Sequence, residues 1–195
     1  MIRFFDILFS FFGLIIVSPF LIIIAIIIVI ESKGGFVFVQ HRVGKDNNDF
    51  KLYKLRTMKV NSDKKGLLTV GNRDSRITKV GKFLRKSKID EFPQLFNVLI
   101  GNMSLVGPRP EVRKYVDMYT EEQIKVLSLK PGITDFASIK YNNENEILAK
   151  SDNPEKFYIE KIMPDKIELN MKYINNCTLS NYFKIIFSTI FIKIK

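Results

Sequence analysis

The chain has 195 residues, a formal net charge of +11, and 46% hydrophobic against 26% charged residues. This length favours a single domain, and the hydrophobic content excludes an intrinsically disordered chain. Cys177 and His41 are each the only residue of their type, which excludes an internal disulfide and a Cys/His zinc cluster. Polar chemistry must therefore rest mainly on carboxylates, Lys, Arg and hydroxyl groups.

The first segment of the chain is strongly apolar. The 24 residues of Ile7–Ile30 carry no charge, and 19 of them are Ile, Leu, Val or Phe. As a helix this run would extend about 36 Å, enough to cross a hydrocarbon core of about 30 Å. No small-residue cleavage site follows the run, which argues against a signal peptide. We expect a membrane anchor over residues 1–32 and a basic globular domain over residues 33–195; the whole net charge of +11 lies in residues 31–195, because Arg3 and Asp6 cancel.

Ser18-Pro19 lies at the midpoint of the apolar run. Proline removes a backbone donor and clashes with the carbonyl of Ile15, and a preceding serine can bond to that freed carbonyl and favour a bend. Two topologies fit the residues: a kinked spanning helix, or a re-entrant helix–break–helix that enters and leaves on one face. Basic residues after the run place its C-terminal end in the cytoplasm, and Arg3 favours the same side for the N-terminus.

Two strands are predicted at the start of the globular domain, over Phe36–Arg42 and Phe50–Met58, joined by a polar loop. Lys54 and Arg56 stand two residues apart in the second strand and should project from one face. Two neighbouring cations require an anion or solvent, so this face is either a solvated edge or an anion-binding site.

A basic amphipathic helix is predicted over Ile77–Lys88, followed by a helix over Asp90–Gly101. Pro93 is tolerated only in the first turn, which places Asp90 and Glu91 at the N-terminus of the second helix. Acidic residues there can be simple caps. The same position keeps a carboxylate ionised, and two adjacent carboxylates can hold a hard cation such as Mg²⁺.

Arg109 stands between two prolines, which fix the backbone and present its guanidinium from a stiff turn suited to phosphate. No zinc-finger or aromatic RNA-binding signature is visible, so nucleic acid is not an expected partner. The remaining pattern predicts a helix over Glu111–Leu129, a strand over Ile133–Lys140, a polar loop over Tyr141–Pro154, a helix over Glu155–Asn175 interrupted at Pro164, and a strand or bilayer-interface helix over Asn181–Lys195.

These elements together resemble the bacterial sugar transferase family, the monotopic phosphoglycosyl transferases. The resemblance rests on Ser18-Pro19, on Arg42-Val43-Gly44 leading to FKLYKLRTM, and on the long string VGKFLRKSKIDEFPQLFNVLIGNMSLVGPRP followed by KPGIT. It implies an α+β fold, mostly helical with a small β-hairpin, a re-entrant anchor broken at Ser18-Pro19 and an interfacial C-terminal segment. The catalytic domain of residues 33–195 would face the cytosol at the bacterial inner membrane.

The resemblance also implies a reaction and the residues that perform it. Asp90 would attack the β-phosphate of a UDP-sugar, UMP would leave, and polyprenyl phosphate would then take the phosphosugar from Asp90. Glu91, with Asp90, would hold Mg²⁺. Phosphate contacts would come from Lys54 and Arg109, with Arg85 and Arg56 as further candidates.

The chain departs from the family pattern at three places. After KPGIT, many members have a Gly-Trp-Ala-Gln-like stretch where this chain has Asp135–Ser138, and Gly-Arg-Asn where it has Tyr141–Asn143. An aspartate that many members carry corresponds to Asn170. These changes leave the donor sugar open. Two rival hypotheses also remain: an anchored basic adaptor that binds anionic lipid or nucleic acid without turnover, and a one-step transferase without a covalent intermediate.

Overall fold

The computed structural model describes residues 1–60, 62 and 74–194, and within this part the chain is mostly helical with two small sheets. The strands are β1 (Val37–Val43), β2 (Asp49–Leu55), β3 (Ser104–Val106) and β4 (Gly132–Thr134). The helices are α1 (Ile2–Glu31), α2 (Lys79–Ser87), α3 (Gln94–Leu99), α4 (Arg113–Val116), α5 (Glu121–Ile124), α6 (Phe136–Lys140), α7 (Glu144–Leu148), α8 (Pro154–Phe157), α9 (Met163–Ile174) and α10 (Leu179–Ile194). The expected class, mostly helical with a small β-hairpin, is confirmed.

Helix α1 runs through Pro19, and the serine before the proline compensates for the lost backbone bond. Ser18 Oγ donates to the carbonyl of Ile15 at 3.0 Å. This carbonyl lacks its usual helical donor, because Pro19 has no backbone N–H. Most apolar side chains of α1 are exposed. Among the described residues, α1 is the one helix long and apolar enough to cross a membrane.

One face of α1 packs on the rest of the chain from its first turn to its last. Near the start, Arg3 donates to the carbonyls of Val98 and Leu99. At the end, Ile28 is buried against α2 and β2, and the Glu31 carboxylate accepts the free amides of Lys79 and Val80 at the start of α2. Both ends of α1 therefore contact the same body.

Strands β1 and β2 form the predicted antiparallel hairpin, in a register that runs from Val37 opposite Leu55 to Val43 opposite Asp49. Its turn contains Asp46 and Asn47 at positive φ, a conformation that these residue types tolerate. Phe50, Leu52 and Leu55 point into the core. The second strand ends at Leu55, three residues before its predicted end.

The two predicted helices after the hairpin are present, with a correction at the second. Thr78 caps α2 by accepting the Gly81 amide. Asp90 and Glu91 lie in a 3-10 turn, Ile89–Glu91, and α3 begins only at Gln94, after Pro93. The expected start of this helix at Asp90 was wrong, because Lys88 in the left-handed region ends α2 and a tight turn is needed to redirect the chain.

Strands β3 and β4 pair in parallel and bring two glycines against each other. A Cβ on Gly132 would lie 2.1 Å from the Gly107 amide nitrogen, and a Cβ on Gly107 would lie 2.4 Å from the Lys130 carbonyl oxygen. Only glycine permits this approach. The segment that carries Arg109 is thereby fixed against Lys130–Gly132.

The C-terminal half is a layer of short helices around a core that includes Tyr115, Tyr158 and Ile162. The predicted helix over Glu111–Leu129 is wrong as one element, because Thr120 and Gln123 form a capping box that starts α5 anew. The predicted strand over Ile133–Lys140 is also wrong beyond Thr134: Asp135 caps α6 by accepting the Ser138 amide.

The last stretches of the chain are helical. The predicted loop over Tyr141–Pro154 contains α7. Pro164 does not interrupt the next helix, because a π-helical turn at Tyr158–Ile162 precedes it and leaves the proline in the first turn of α9. The strand-or-helix alternative over Asn181–Lys195 resolves to helix α10 over its described part.

Candidate active site

The centre of the candidate site is Glu91, whose carboxylate binds two cations from distant parts of the chain. Lys54 Nζ lies 3.2 Å from Glu91 Oε1. The Arg109 guanidinium donates to both carboxylate oxygens, with Nη1 3.3 Å from Oε2 and Nη2 on Oε1. This bidentate contact fixes the orientation of the Arg109 guanidinium and the Glu91 carboxylate. All three side chains are largely removed from solvent.

Each of these residues is placed by a different local device. Lys54 stands near the end of β2. Glu91 is set by the 3-10 turn after α2. Arg109 lies between Pro108 and Pro110. The backbone of this turn is held against β4, because the Gly132 amide donates to the Pro108 carbonyl at 2.9 Å. Three rigid elements thus converge on one carboxylate.

The charges in this cluster favour the ionised form of Glu91. Burial alone would raise the pKa of the Glu91 carboxyl, but Arg109 and then Lys54 outweigh it and hold that pKa well below its ordinary value. The same interaction raises the pKa of Arg109. Burial lowers the pKa of the Lys54 ammonium group, and the charge of Glu91 opposes that shift. Glu91 is therefore an ionised carboxylate whose negative charge stabilises both cations.

Asp90 has a different environment from its neighbour. It is only 8% exposed, and its Oδ1 atom has no hydrogen-bond partner among the described residues. Burial, and then the charge of Glu91, raise the pKa of the Asp90 carboxyl. A carboxylate that is desolvated and incompletely hydrogen-bonded keeps a free lone pair, as a nucleophile requires. A role for Asp90 as the cap of α3 does not fit, because α3 starts four residues later.

The two remaining candidate cations take different places. Arg85 lies on α2, where burial lowers its pKa and the charge of Asp90 opposes that shift, so it belongs to the surroundings of Asp90. Arg56 is not brought into the cluster. It donates to the carbonyls of Ser32 and Lys33 at the end of α1, at 2.6 and 2.8 Å. These contacts place the Arg56 guanidinium at the end of α1, and a phosphate contact of Arg56 stays a prediction.

Two residues that were not predicted as site residues, Arg42 and Asp135, contact the turn that carries Arg109. Arg42 donates to the Pro110 carbonyl at 3.0 Å and to Glu111 at 3.1 Å. Asp135 accepts the Arg109 amide on Oδ2 at 3.0 Å. An Asp directly before an apolar helical stretch is a recognisable helix-cap signal in the sequence. The contact of Asp135 with the Arg109 amide, 26 residues earlier, has no local sequence signature.

The donor set allows Mg²⁺ only together with phosphate oxygens. No group of three or more His, Cys, Asp or Glu residues close enough to hold a metal occurs in the described ranges. Asp90 and Glu91 supply two carboxylates, and Mg²⁺ is commonly held by one or two carboxylates plus substrate phosphates. The unpartnered Asp90 Oδ1 is available for this, whereas both Glu91 oxygens are occupied by cations.

Comparison with known proteins identifies the family of this chain. The family model described as "Bacterial sugar transferase" matches residues 1–195. The chain belongs to the bacterial sugar transferase family. Its predicted resemblance to that family is confirmed over the whole length.

Several members of the family are similar in sequence. One, from Aeromonas hydrophila, is named UDP-N-acetylgalactosamine-undecaprenyl-phosphate N-acetylgalactosaminephosphotransferase; it is 40% identical over 89% of this chain and 38% of its own length. Another, from Klebsiella pneumoniae, is named UDP-glucose:undecaprenyl-phosphate glucose-1-phosphate transferase, with 38% identity over 95% of this chain and 38% of its own. The exopolysaccharide production protein PSS of Rhizobium leguminosarum is 33% identical over 96% of this chain and 92% of its own. The chain thus spans about two fifths of the first two relatives.

Proposed function

We propose that this sugar transferase moves a sugar-1-phosphate from a UDP-sugar to polyprenyl phosphate and releases UMP, as the first membrane step in building a capsule, exopolysaccharide or related glycan. The observation that carries the proposal is the pairing of a desolvated Asp90 with Glu91, whose carboxylate binds Lys54 and Arg109. The names of the Aeromonas and Klebsiella relatives describe this class of transfer between these classes of substrate.

The reaction proceeds in two displacements at one phosphorus atom. An Asp90 carboxylate oxygen attacks the β-phosphorus of the UDP-sugar, the bond from that phosphorus to the bridging oxygen breaks, and UMP leaves with the oxygen. A phosphate oxygen of polyprenyl phosphate then attacks the same phosphorus, the bond to Asp90 breaks, and the free carboxylate returns. Carboxylates act as nucleophiles in this way when aspartyl phosphates form.

The cations of the cluster supply the charge stabilisation that the donor needs. A diphosphate brings negative charge that increases on the leaving UMP oxygen, and preorganised donors in a water-poor site stabilise that charge strongly. Arg109 suits a phosphate with its fork of donors, and Lys54 adds a second positive charge. Phosphate binding requires these cations to share their present contact with Glu91.

Asp90 and Glu91 would hold Mg²⁺ together with the donor phosphates. The metal, when bound, supplies further neutralisation of the diphosphate charge. Glu91 would then share its carboxylate with the metal, and Arg109 and Lys54 would be free to contact phosphate oxygens.

Release of UMP tests this function directly. Purified protein with Mg²⁺ should release UMP from one member of a panel of UDP-sugars, and chelation with EDTA should stop the release. Added polyprenyl phosphate should increase the total UMP released, because it regenerates the free Asp90. Salt-sensitive binding to anionic vesicles with no UMP release from any UDP-sugar would instead favour the adaptor hypothesis.

For the membrane anchor we propose the re-entrant arrangement. A straight helix of 30 residues would extend about 45 Å, yet Arg3 and Glu31, near its two ends, both contact the globular part. A simple crossing would place these contacts on opposite sides of the bilayer. The clash of the Pro19 ring with the Ile15 carbonyl favours a bend at Ser18-Pro19 within this continuous helix, and each half is long enough for one leaflet.

A C-terminal interfacial segment is supported by exposed aromatic and aliphatic residues. Phe187, Ile190 and Phe191 on α10 are at least half exposed, while Tyr182 and Ile185 of the same helix are fully buried. A helix that buries one apolar face in protein and exposes another suits the bilayer interface. We place this surface on the cytosolic face of the bacterial inner membrane, where basic residues favour anionic lipid headgroups.

Cysteine labelling tests the topology of the anchor. A single cysteine inserted after Met1, in a Cys177→Ser background, should resist a membrane-impermeant maleimide in intact spheroplasts and react in inverted vesicles. A cysteine at exposed Lys150 in the globular domain provides the matched control and should show the same pattern. Labelling of the N-terminal cysteine in intact spheroplasts would contradict the re-entrant arrangement and favour a spanning helix.

A further inference from the structure

The turn that presents Arg109 is fixed at successive backbone positions. The Gly107 amide donates to the Thr134 carbonyl at 3.1 Å, the Pro108 carbonyl accepts the Gly132 amide, and the Glu111 carbonyl accepts the Val43 amide. These contacts are between backbone atoms, and two of the positions, Gly107 and Gly132, leave no room for a side chain. They leave Arg109 itself, in the middle of the turn, to be held by other means.

Arg109 carries the one amide N–H in the tripeptide Pro108–Pro110, because proline has none. That N–H donates to Asp135 Oδ2 at 3.0 Å. The other carboxylate oxygen, Oδ1, accepts the Ser138 amide at the start of α6. A single side chain therefore joins the residue that binds Glu91 to the first turn of a neighbouring helix.

Asp135 is fully buried, with 0% of its surface exposed. Burying a carboxylate is costly unless hydrogen bonds and nearby positive charge compensate it. The helix cap accounts for only one of its two oxygens. The Arg109 pKa is raised chiefly by Glu91, and Asp135 contributes in the same direction, which indicates that its charge acts on the guanidinium as well as on the backbone.

We propose that Asp135 is a positioning residue for Arg109, holding its backbone so that the guanidinium reaches Glu91 and the donor phosphate. This inference rests on the proposed function for its kinetic consequence, but not for its structural one. In this proposal Arg109 contacts the donor phosphate, and Asp135 acts only through its hold on Arg109.

Asp135→Asn separates the two roles of the side chain. The asparagine Oδ1 can still accept the Ser138 amide and cap α6, but its NH₂ group would face the Arg109 N–H, and two donors cannot bond. We expect the midpoint of thermal unfolding to fall by only a few degrees, because two buried donors are left without a partner while the cap of α6 remains. The donor kcat/KM in UMP release should fall roughly 10- to 100-fold, because misplacing a phosphate-binding group by about 1 Å has an effect of that order.

A double-mutant comparison with Arg109→Ala shows whether the effect passes through Arg109. Once the guanidinium is gone, adding Asp135→Asn should lower kcat/KM by less than about twofold. Asn153→Ala, which removes the cap of α8 far from the cluster, is the matched control and should retain the wild-type kcat/KM. An equal loss from Asp135→Asn with and without Arg109, or wild-type kinetics in Asp135→Asn, would overturn the proposal.

A spectroscopic measurement keeps this test separate from the proposed function. The Arg109 Nε–H signal, assigned by its loss in Arg109→Lys, should shift or broaden in Asp135→Asn and stay in place in Asn153→Ala. An unmoved signal would overturn the positioning role. If the wild type released no UMP from any UDP-sugar, the proposed function would fail, while this signal would still decide whether Asp135 positions Arg109.

Discussion

Asp90→Asn is expected to abolish UMP release, with a loss of roughly 10³-fold or more, as is typical when a nucleophile is removed. The amide has nearly the shape of the carboxylate but cannot attack phosphorus. The folded protein should tolerate it: burial raises the pKa of Asp90 and so disfavours its charged form, and a neutral amide avoids that cost. The measurement is the initial rate of UMP release with Mg²⁺ and the best donor, beside the midpoint of thermal unfolding.

Asp117→Asn is the matched control for this change. It makes the same chemical replacement at an exposed carboxylate of the described chain and should leave UMP release unchanged. Release that is undiminished in Asp90→Asn would contradict the nucleophile assignment. It would leave the one-step transferase, in which the lipid phosphate attacks the UDP-sugar itself.

Glu91→Gln is expected to affect activity and stability together. It leaves Lys54 and Arg109 close to each other, largely removed from solvent, with no negative partner between them. Breaking a buried ion pair from one side destabilises proteins by about 3–5 kcal/mol, so thermal unfolding should begin at a markedly lower temperature. UMP release should fall by roughly 10²-fold or more, because the site loses the carboxylate that orients Lys54 and Arg109 and that we propose as one of two Mg²⁺ ligands. Unchanged stability would show that the cluster is solvated.

Two comparisons test the cause of that destabilisation. Lys54→Met in the Glu91→Gln background removes one of the two repelling cations and should recover part of the lost stability. The pH dependence has a definite sign: Glu91 has a depressed pKa in the folded state, so its stabilisation is present above its unfolded pKa of about 4.3 and is lost as the pH falls towards the folded value. The difference in unfolding midpoint between wild type and Glu91→Gln should shrink over that range.

The parts of the fold with regular local patterns were predictable from the sequence. The uncharged run predicted α1, and the spacing of apolar residues predicted β1, β2 and α2. Errors arose where a cap divides an otherwise continuous pattern. Thr120 with Gln123, and Asp135 before α6, are cap signals that a search for apolar periodicity passes over.

The site was predictable as separate residues but not as an arrangement. Family motifs singled out Asp90, Glu91, Lys54 and Arg109. The meeting of Lys54 and Arg109 at the Glu91 carboxylate was not predictable. It depends on the hairpin register, on the 3-10 turn and on the close approach of two glycines, which are features of the tertiary structure. Arg56 shows the same limit, since the contacts of its guanidinium with the carbonyls of Ser32 and Lys33 depend on where α1 ends against the hairpin.

The covalent intermediate on Asp90 is the most direct test of the account. Wild-type protein incubated with Mg²⁺ and its UDP-sugar, without polyprenyl phosphate, should gain the mass of one phosphosugar, located by peptide mapping at Asp90. Adding polyprenyl phosphate should remove that mass and form the polyprenyl-diphosphate sugar. UMP release that requires polyprenyl phosphate, with no added mass on the protein at any time, would contradict the two-displacement mechanism.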